Sequence, residues 1–184
     1  MGETVRLIVP QADDVTKIAD IPLAVADGAT NLESLSTRYR FDRRQALYYF
    51  QAAESFGLVQ RRTHNYALSA LGHRYVALTP AKRKEMLVRR MLSLPLLVQI
   101  VHELLISPIH RLSREQIAHM TSTRARISGT TVDRRVQSVF SWLTWLGDET
   151  EMFKVSKDYV SMMSRSPSNQ LGPVSRSSCQ ITEL

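Results

Sequence analysis

Asp42-Arg43-Arg44-Gln45-Ala46-Leu47-Tyr48-Tyr49-Phe50-Gln51-Ala52-Ala53-Glu54-Ser55-Phe56-Gly57 is the stretch on which the reading of this chain turns. An acidic cap is followed by cations on the first turn. Ala46, Tyr49 or Phe50, Ala53 and Phe56 then recur at helical spacing before a glycine closes the run. Arg43, Arg44, Tyr48 and Gln51 fall on the opposite face. About half a chain later the signature returns as Asp133-Arg134-Arg135-Val136-Gln137, leading to Leu146-Gly147. Each copy is followed by a stretch that reads as a β-hairpin. A helix held by its apolar underside, with arginines at its tip, is what insertion into a DNA groove requires.

Working outward from the first copy, Asn31 caps a preceding helix carrying Leu32, Leu35 and Tyr39. Asp13 or Asp14 caps an earlier one with Val15, Ile18, Ala19 and Leu23, which Pro22 is expected to kink or interrupt and Gly28 to end. Residues 1–12 read as an arm in which Val5, Leu7 and Val9 alternate like a short strand. After Gly57, Leu58–Arg61 and Tyr66–Leu68 read as strands about a turn at residues 62–65, and Ser69 caps a short closing helix. Pro80 opens the longest helical pattern, residues 81 to about 106, which Pro95 divides. The part after Pro95 is apolar nearly all round, as a first helix of a second core or a dimer contact would be. Ser113 and Gln116 make a capping-box start. Residues 121–129 read as a basic connection with Arg124 and Arg126, and a helix from about Thr131 to Leu146 follows. There Asp133 is taken as a cap and Gly147 as the terminator. Strands around 152–155 and 159–162 complete the second half. From Ser164 the composition turns to Ser, Pro, Gly, Asn and Gln, which reads as a disordered tail, 164–184.

The expected fold is therefore mainly α with small β-hairpin wings, in two tandem units, 1–79 and 80–163. A net charge of +7 and a pI of about 9.9 favour a polyanionic partner. Cys179 is the single cysteine, so disulfides and Cys-rich zinc sites are excluded, which suits a reducing cytosol or nucleus; a bacterial or archaeal cytosol is the expected compartment. The most apolar run, 91–109, is interrupted by Gln99, His102, Glu103 and two prolines, too polar for a membrane span. His64, His73, His102, His110 and His119 lack metal-ligand spacing. There is no phosphate loop and no nucleophile elbow, and no cofactor is implied. The residues two before Lys17, Lys82, Lys84, Lys154 and Lys157 are Val15, Pro80, Lys82, Met152 and Val155. None is acidic, so the acid-x-lysine pattern of many metal-dependent nucleases is missing.

Phe41–Gly57, the strand after it and Leu68-Ser69-Ala70-Leu71-Gly72 resemble winged-helix DNA-binding domains. The last of these is similar to the Leu-Thr-x-x-Gly run that commonly follows the wing. More narrowly, Asp42–Gln45, Tyr48-Tyr49, Ala52-Ala53 and Phe56–Val59 resemble a winged-helix module attached to some restriction enzymes. The second half carries only the general pattern. The resemblance implies binding of double-stranded DNA without catalysis, beside a nuclease domain or subunit. A transcription regulator and a protein-interaction scaffold, the latter using helix 96–105 and Trp142 with Trp145, are the alternatives, and a homodimer is compatible with each. The residues expected on DNA are Arg43, Arg44, Gln45, Tyr48 and Gln51 on one helix, and Arg61, Arg62 and His64 on the wing. In the second half they are Arg124, Arg126, Arg134, Arg135, Gln137, Ser138 and Ser141. A solvated helix face is the better explanation of any one of these arginine pairs taken alone; their recurrence favours DNA. Lys82, Arg83, Lys84, Arg89 and Arg90 would supply a backbone-contacting stripe between the units.

Overall fold

A computed structural model describes residues 9–125 and 129–163, the side chains of 124, 125 and 130 excepted. Val5, Leu7, Arg126 and the tail 164–184 lie outside the described residues, as does the side chain of Arg124. The protein is mainly α, with eight helices and two small antiparallel sheets among the described residues.

Helix α1 (Val15–Ala26) starts where the Asp14 carboxylate accepts the Lys17 amide at 3.1 Å. It runs through Pro22 rather than stopping there. Proline removes one donor, which leaves a single carbonyl of the preceding turn without its helical partner, and burial of Ile18, Ile21 and Val25 outweighs that loss. Helix α2 (Leu32–Tyr39) begins in a reciprocal capping box: Ser34, not an acid, returns the bond to Asn31. Arg40, in the left-handed region at φ 55°, turns the chain into α3 (Arg43–Ser55). Gly57 (φ 75°) then releases it into the hairpin β1 (Val59–Arg62) and β2 (Asn65–Leu68). Helix α4 (Ala70–Val76) presses directly on Leu58. A Cβ at Gly72 would fall 1.9 Å from the Leu58 carbonyl oxygen, so only glycine fits.

Helices α5 (Pro80–Leu92) and α6 (Pro95–Ile106) follow, with proline opening each. Strand β3 (Arg111–Ser113) was not expected. It lies beside β5 (Tyr159–Met162), which also pairs with β4 (Phe153–Val155), giving the order β3-β5-β4. Helix α7 runs Arg114–Ala125, so Thr121–Ala125 continue a helix instead of forming the expected connection. Thr121 is fully buried there, with its hydroxyl donating to the Ile117 carbonyl at 2.7 Å. Helix α8 (Thr130–Thr150) is longer at both ends than its apolar spacing indicated.

One continuous hydrophobic cluster joins the two halves. Trp142 of α8 stands edge-on to Phe56, the residue that caps the C-terminus of α3, with ring centroids 5.3 Å apart, and its indole donates to the Ala12 carbonyl at 2.8 Å. Leu87 and Met91 of α5 are buried in the same cluster. Arg90 donates to the Phe56 carbonyl at 2.9 Å, and Lys84 pairs with Glu149 at 2.9 Å.

Candidate nucleic-acid interface

The start of α3 is fixed by its own sequence. The Asp42 carboxylate accepts the Gln45 amide at 2.7 Å, and the Gln45 side chain accepts the Asp42 amide at 3.2 Å. This box places Arg43 and Arg44 on the first turn, both exposed. It also engages the Gln45 carbonyl oxygen within the helix cap, leaving its amide NH₂ for a ligand. The hairpin turns at Thr63 (φ 46°), and Arg61, Arg62 and His64 near its tip are exposed, Arg61 standing opposite Tyr66 on the face that buries Val59. Glu54 of α3 ties the hairpin down by accepting the Arg61 amide at 3.1 Å. Tyr66 stacks on Phe50 with centroids 3.9 Å apart.

Between these elements lies an open cleft of about 630 Å³ lined by Asn31, Leu32, Glu33, Ser36, Arg43, Arg61 and His64. Three of the expected residues, Arg43, Arg61 and His64, thus meet over the N-terminus of α2, whose backbone dipole also favours an anion. Glu33 is the one carboxylate in the lining. Among the described residues, Arg43, Arg61 and Arg62 form no ion pair. Arg44 lies one position further around: it donates to the Tyr48 hydroxyl at 2.5 Å and sits 5.4 Å from that ring's centroid. Tyr48 and Gln51 are half-buried.

The second half differs from expectation in several places. Helix α8 begins at Thr130 behind Gly129, so Asp133 lies inside the helix and is not its cap. Gly147 is likewise internal. Its role is close approach, since a Cβ there would lie 2.6 Å from the Phe153 carbonyl oxygen, and the helix ends instead at Glu151 (φ 55°). Ser138 was placed on the outer face but is fully buried, donating to the Asp13 carboxylate and to the Arg134 carbonyl. Arg135 is half-buried, and Ser141 is half-buried as well. The reason is helical geometry: positions 135, 138 and 142 form one stripe, and that stripe faces the first half of the molecule. Arg134 and Gln137 keep the exposed face.

Two cations absent from the expected set lie here. Arg114, the first residue of α7, stacks on Phe140 at 4.8 Å and donates to the Lys157 carbonyl and the Gln137 side chain, each at 3.4 Å. Arg111 lies over Tyr159 at 4.2 Å. A cation directly after the capping serine was a legible signal for Arg114; for Arg111 there was none before β3 was known.

The stripe on α5 is occupied within the fold. Glu85 bridges Lys82 at 3.0 Å and Arg89 at 2.6 Å, and these cations hold its carboxyl below the usual range. Lys84 pairs with Glu149, while Arg83 and Arg90 cap carbonyls of Leu78 and Phe56. No group of three or more His, Cys, Asp or Glu suited to a metal ion occurs among the described residues. No described helix is long and apolar enough to cross a membrane.

These features define a mainly α protein with two small sheets and an open basic cleft. Residues 17–151 match the family described as a domain of unknown function, DUF7226, and the chain belongs to that family. The match runs from within α1 to the end of α8 and stops short of β4 and β5. No curated protein and no solved structure matches the chain.

Proposed function

We propose that the protein binds double-stranded DNA, with the first turn of α3 in the major groove and the β1–β2 hairpin against the flanking backbone. The observation that carries this reading is the convergence of Arg43, Arg61 and His64, none of them in an ion pair among the described residues, around one cleft beside the α2 N-terminus whose single carboxylate is Glu33. By contrast, each cation of α5 has a partner within the chain, Lys82, Lys84 and Arg89 in surface ion pairs and Arg83 and Arg90 on backbone carbonyls. The recurrence of a helix pair, a third helix and a hairpin in both halves supports the winged-helix reading. The likeness of residues 42–59 to restriction-enzyme modules gives the proposal its specific form: a recognition part that acts beside a separate nuclease domain or subunit and itself catalyses nothing.

The test is fluorescence anisotropy with a random-sequence duplex pool across a salt series. Neutralisation of about six phosphates gives a log–log slope near −5. Arg43→Glu and Arg61→Glu should each abolish binding while circular dichroism stays that of the parent. Unchanged affinity in both variants overturns the assignment. Selection from the pool separates the two DNA-binding forms: an asymmetric site favours the restriction-type module, a palindrome read by a dimer the transcription regulator. A protein-interaction role has its own support in Val98, Leu105, Ile106 and Ile109, which leave an apolar patch exposed along and just beyond α6. Duplex binding lost in none of the basic variants, with self-association lost in Leu105→Glu, would favour it.

A further inference from the structure

A side-chain amide reads a base by which of its two polar atoms faces outward, and the fold settles this for both candidate glutamines. At the tip of α3 the backbone N–H of Asp42 donates to the Gln45 side-chain oxygen at 3.2 Å, while the Asp42 carboxylate accepts the Gln45 backbone N–H at 2.7 Å. This reciprocal pair draws the Gln45 side chain back over the helix end with its oxygen inward. In the second half, the side-chain oxygen of Gln137 accepts from the Arg114 guanidinium at 3.4 Å. Arg114 is itself held, 4.8 Å from the Phe140 ring and donating to the Lys157 carbonyl. An N–H needs the oxygen of an amide, never its NH₂, so each side chain has one orientation and its NH₂ is the group left over. Both glutamines are exposed.

Adenine shows the major groove an acceptor, N7, beside a donor, its N6 amino group, so a glutamine matches it only with both amide atoms outward. Guanine shows two acceptors, N7 and O6, and asks for donors alone. The neighbouring side chains have the same character. Arg43 and Arg134 are exposed on the same two helices and can only donate. Arg44 is drawn back along α3 to the Tyr48 hydroxyl at 2.5 Å, which leaves Arg43 and Gln45 as the donors at the tip. The remaining acceptor there is the second oxygen of Asp42, and it suits the N4 amino group of cytosine, the partner of guanine. Residues 42–45 bring no apolar side chain to the methyl group of thymine. We propose that Gln45 and Gln137 are fixed hydrogen-bond donors that, with Arg43 and Arg134, select guanine over adenine in the target duplex. Arg114 is a positioning residue: it sets the orientation of Gln137 without touching the base. This rests on the DNA-binding reading and adds to it the class of base that is read.

Selection from a random duplex pool with the intact chain should return sites enriched in guanine. Duplexes that differ by guanine or adenine at one such position then measure the preference by anisotropy, and the parent should favour guanine about tenfold. Gln45→Glu keeps the cap, since a carboxylate also accepts the Asp42 N–H, but it offers no donor; Gln45→Met is neutral and close in shape. Both should lose the preference at one guanine while circular dichroism stays that of the parent, and Gln137→Met should lose it at another. The readout is the ratio of two affinities, so the added charge of glutamate, which weakens both duplexes alike, cancels. Arg114→Met should free Gln137 to turn and bring adenine level with guanine at the second position, leaving the first unchanged. Affinities lowered with both ratios intact would reduce Arg114 to a structural part. A parent that favours adenine, a guanine preference kept in both Gln45 variants, or duplex binding with no base preference overturns the assignment and leaves the DNA reading standing. Absence of duplex binding at low salt removes the DNA reading and this inference with it.

Discussion

Helices α3 and α8 carry the same Asp-Arg-Arg run, yet the run does different work in each. In α3 the aspartate is the cap, so both arginines open the helix into solvent. In α8 Asp133 closes the first turn and the arginines fall in the second, where 100° per residue sends Arg134 outward and Arg135 inward. The glycines diverge too. Gly57 has a positive φ that ends a helix, while Gly147 sits inside one because β4 passes too close for a methyl group. The difference teaches that a short run specifies its chemistry only together with its distance from the helix start. It also shows α8 as a strut between the halves, with one face on its own sheet and α7 and another on α1, where Trp142 meets Phe56.

That contrast can be broken by substitution. The largest effect belongs to Trp142→Ala, which removes a side chain buried between the halves and should cost about 3–5 kcal/mol in urea unfolding. A cost below about 1 kcal/mol would mean that α8 is not the strut. Next comes Gly147→Ala, at about 2 kcal/mol net of the better helix propensity of alanine. Gly57→Ala should cost about 1 kcal/mol from its left-handed backbone, since the nearest obstacle is the movable end of Arg90. Equal costs would restore the two glycines to one role.

In duplex binding, Arg43→Ala should lose about 1–3 kcal/mol and Arg134→Ala less, because Arg43 shares a cleft with Arg61 and His64. The smallest effect sharpens the comparison most. Asp42→Ala should cost about 1 kcal/mol as a lost cap, and Asp133→Ala should stay within about 0.5 kcal/mol. Both are read by thermal or urea denaturation.

Local signals carried most of the elements. The caps Asp14, Asn31, Asp42 and Ser69, the prolines opening α5 and α6, and both hairpins were legible because each depends on neighbours within a few positions. The first-half candidates were legible for the same reason: a cap fixes where Arg43 points, and the turn after Arg62 puts Arg61 at the exposed end of the hairpin. Strand β3 was missed because three residues have no periodicity of their own and are ordered by pairing with β5, nearly fifty positions away. Ser138 and Arg135 were misplaced because one amphipathic face was sought, whereas α8 buries two.

From its sequence alone the chain settles its mainly helical character, its helix starts and turns, and the basic tip of α3, since capping and side-chain periodicity act over one or two turns. Which side of α8 meets solvent was decided only by tertiary packing. A helix's second buried face is defined by what docks on it, here Ala12, Asp13 and Phe56 from distant parts of the chain.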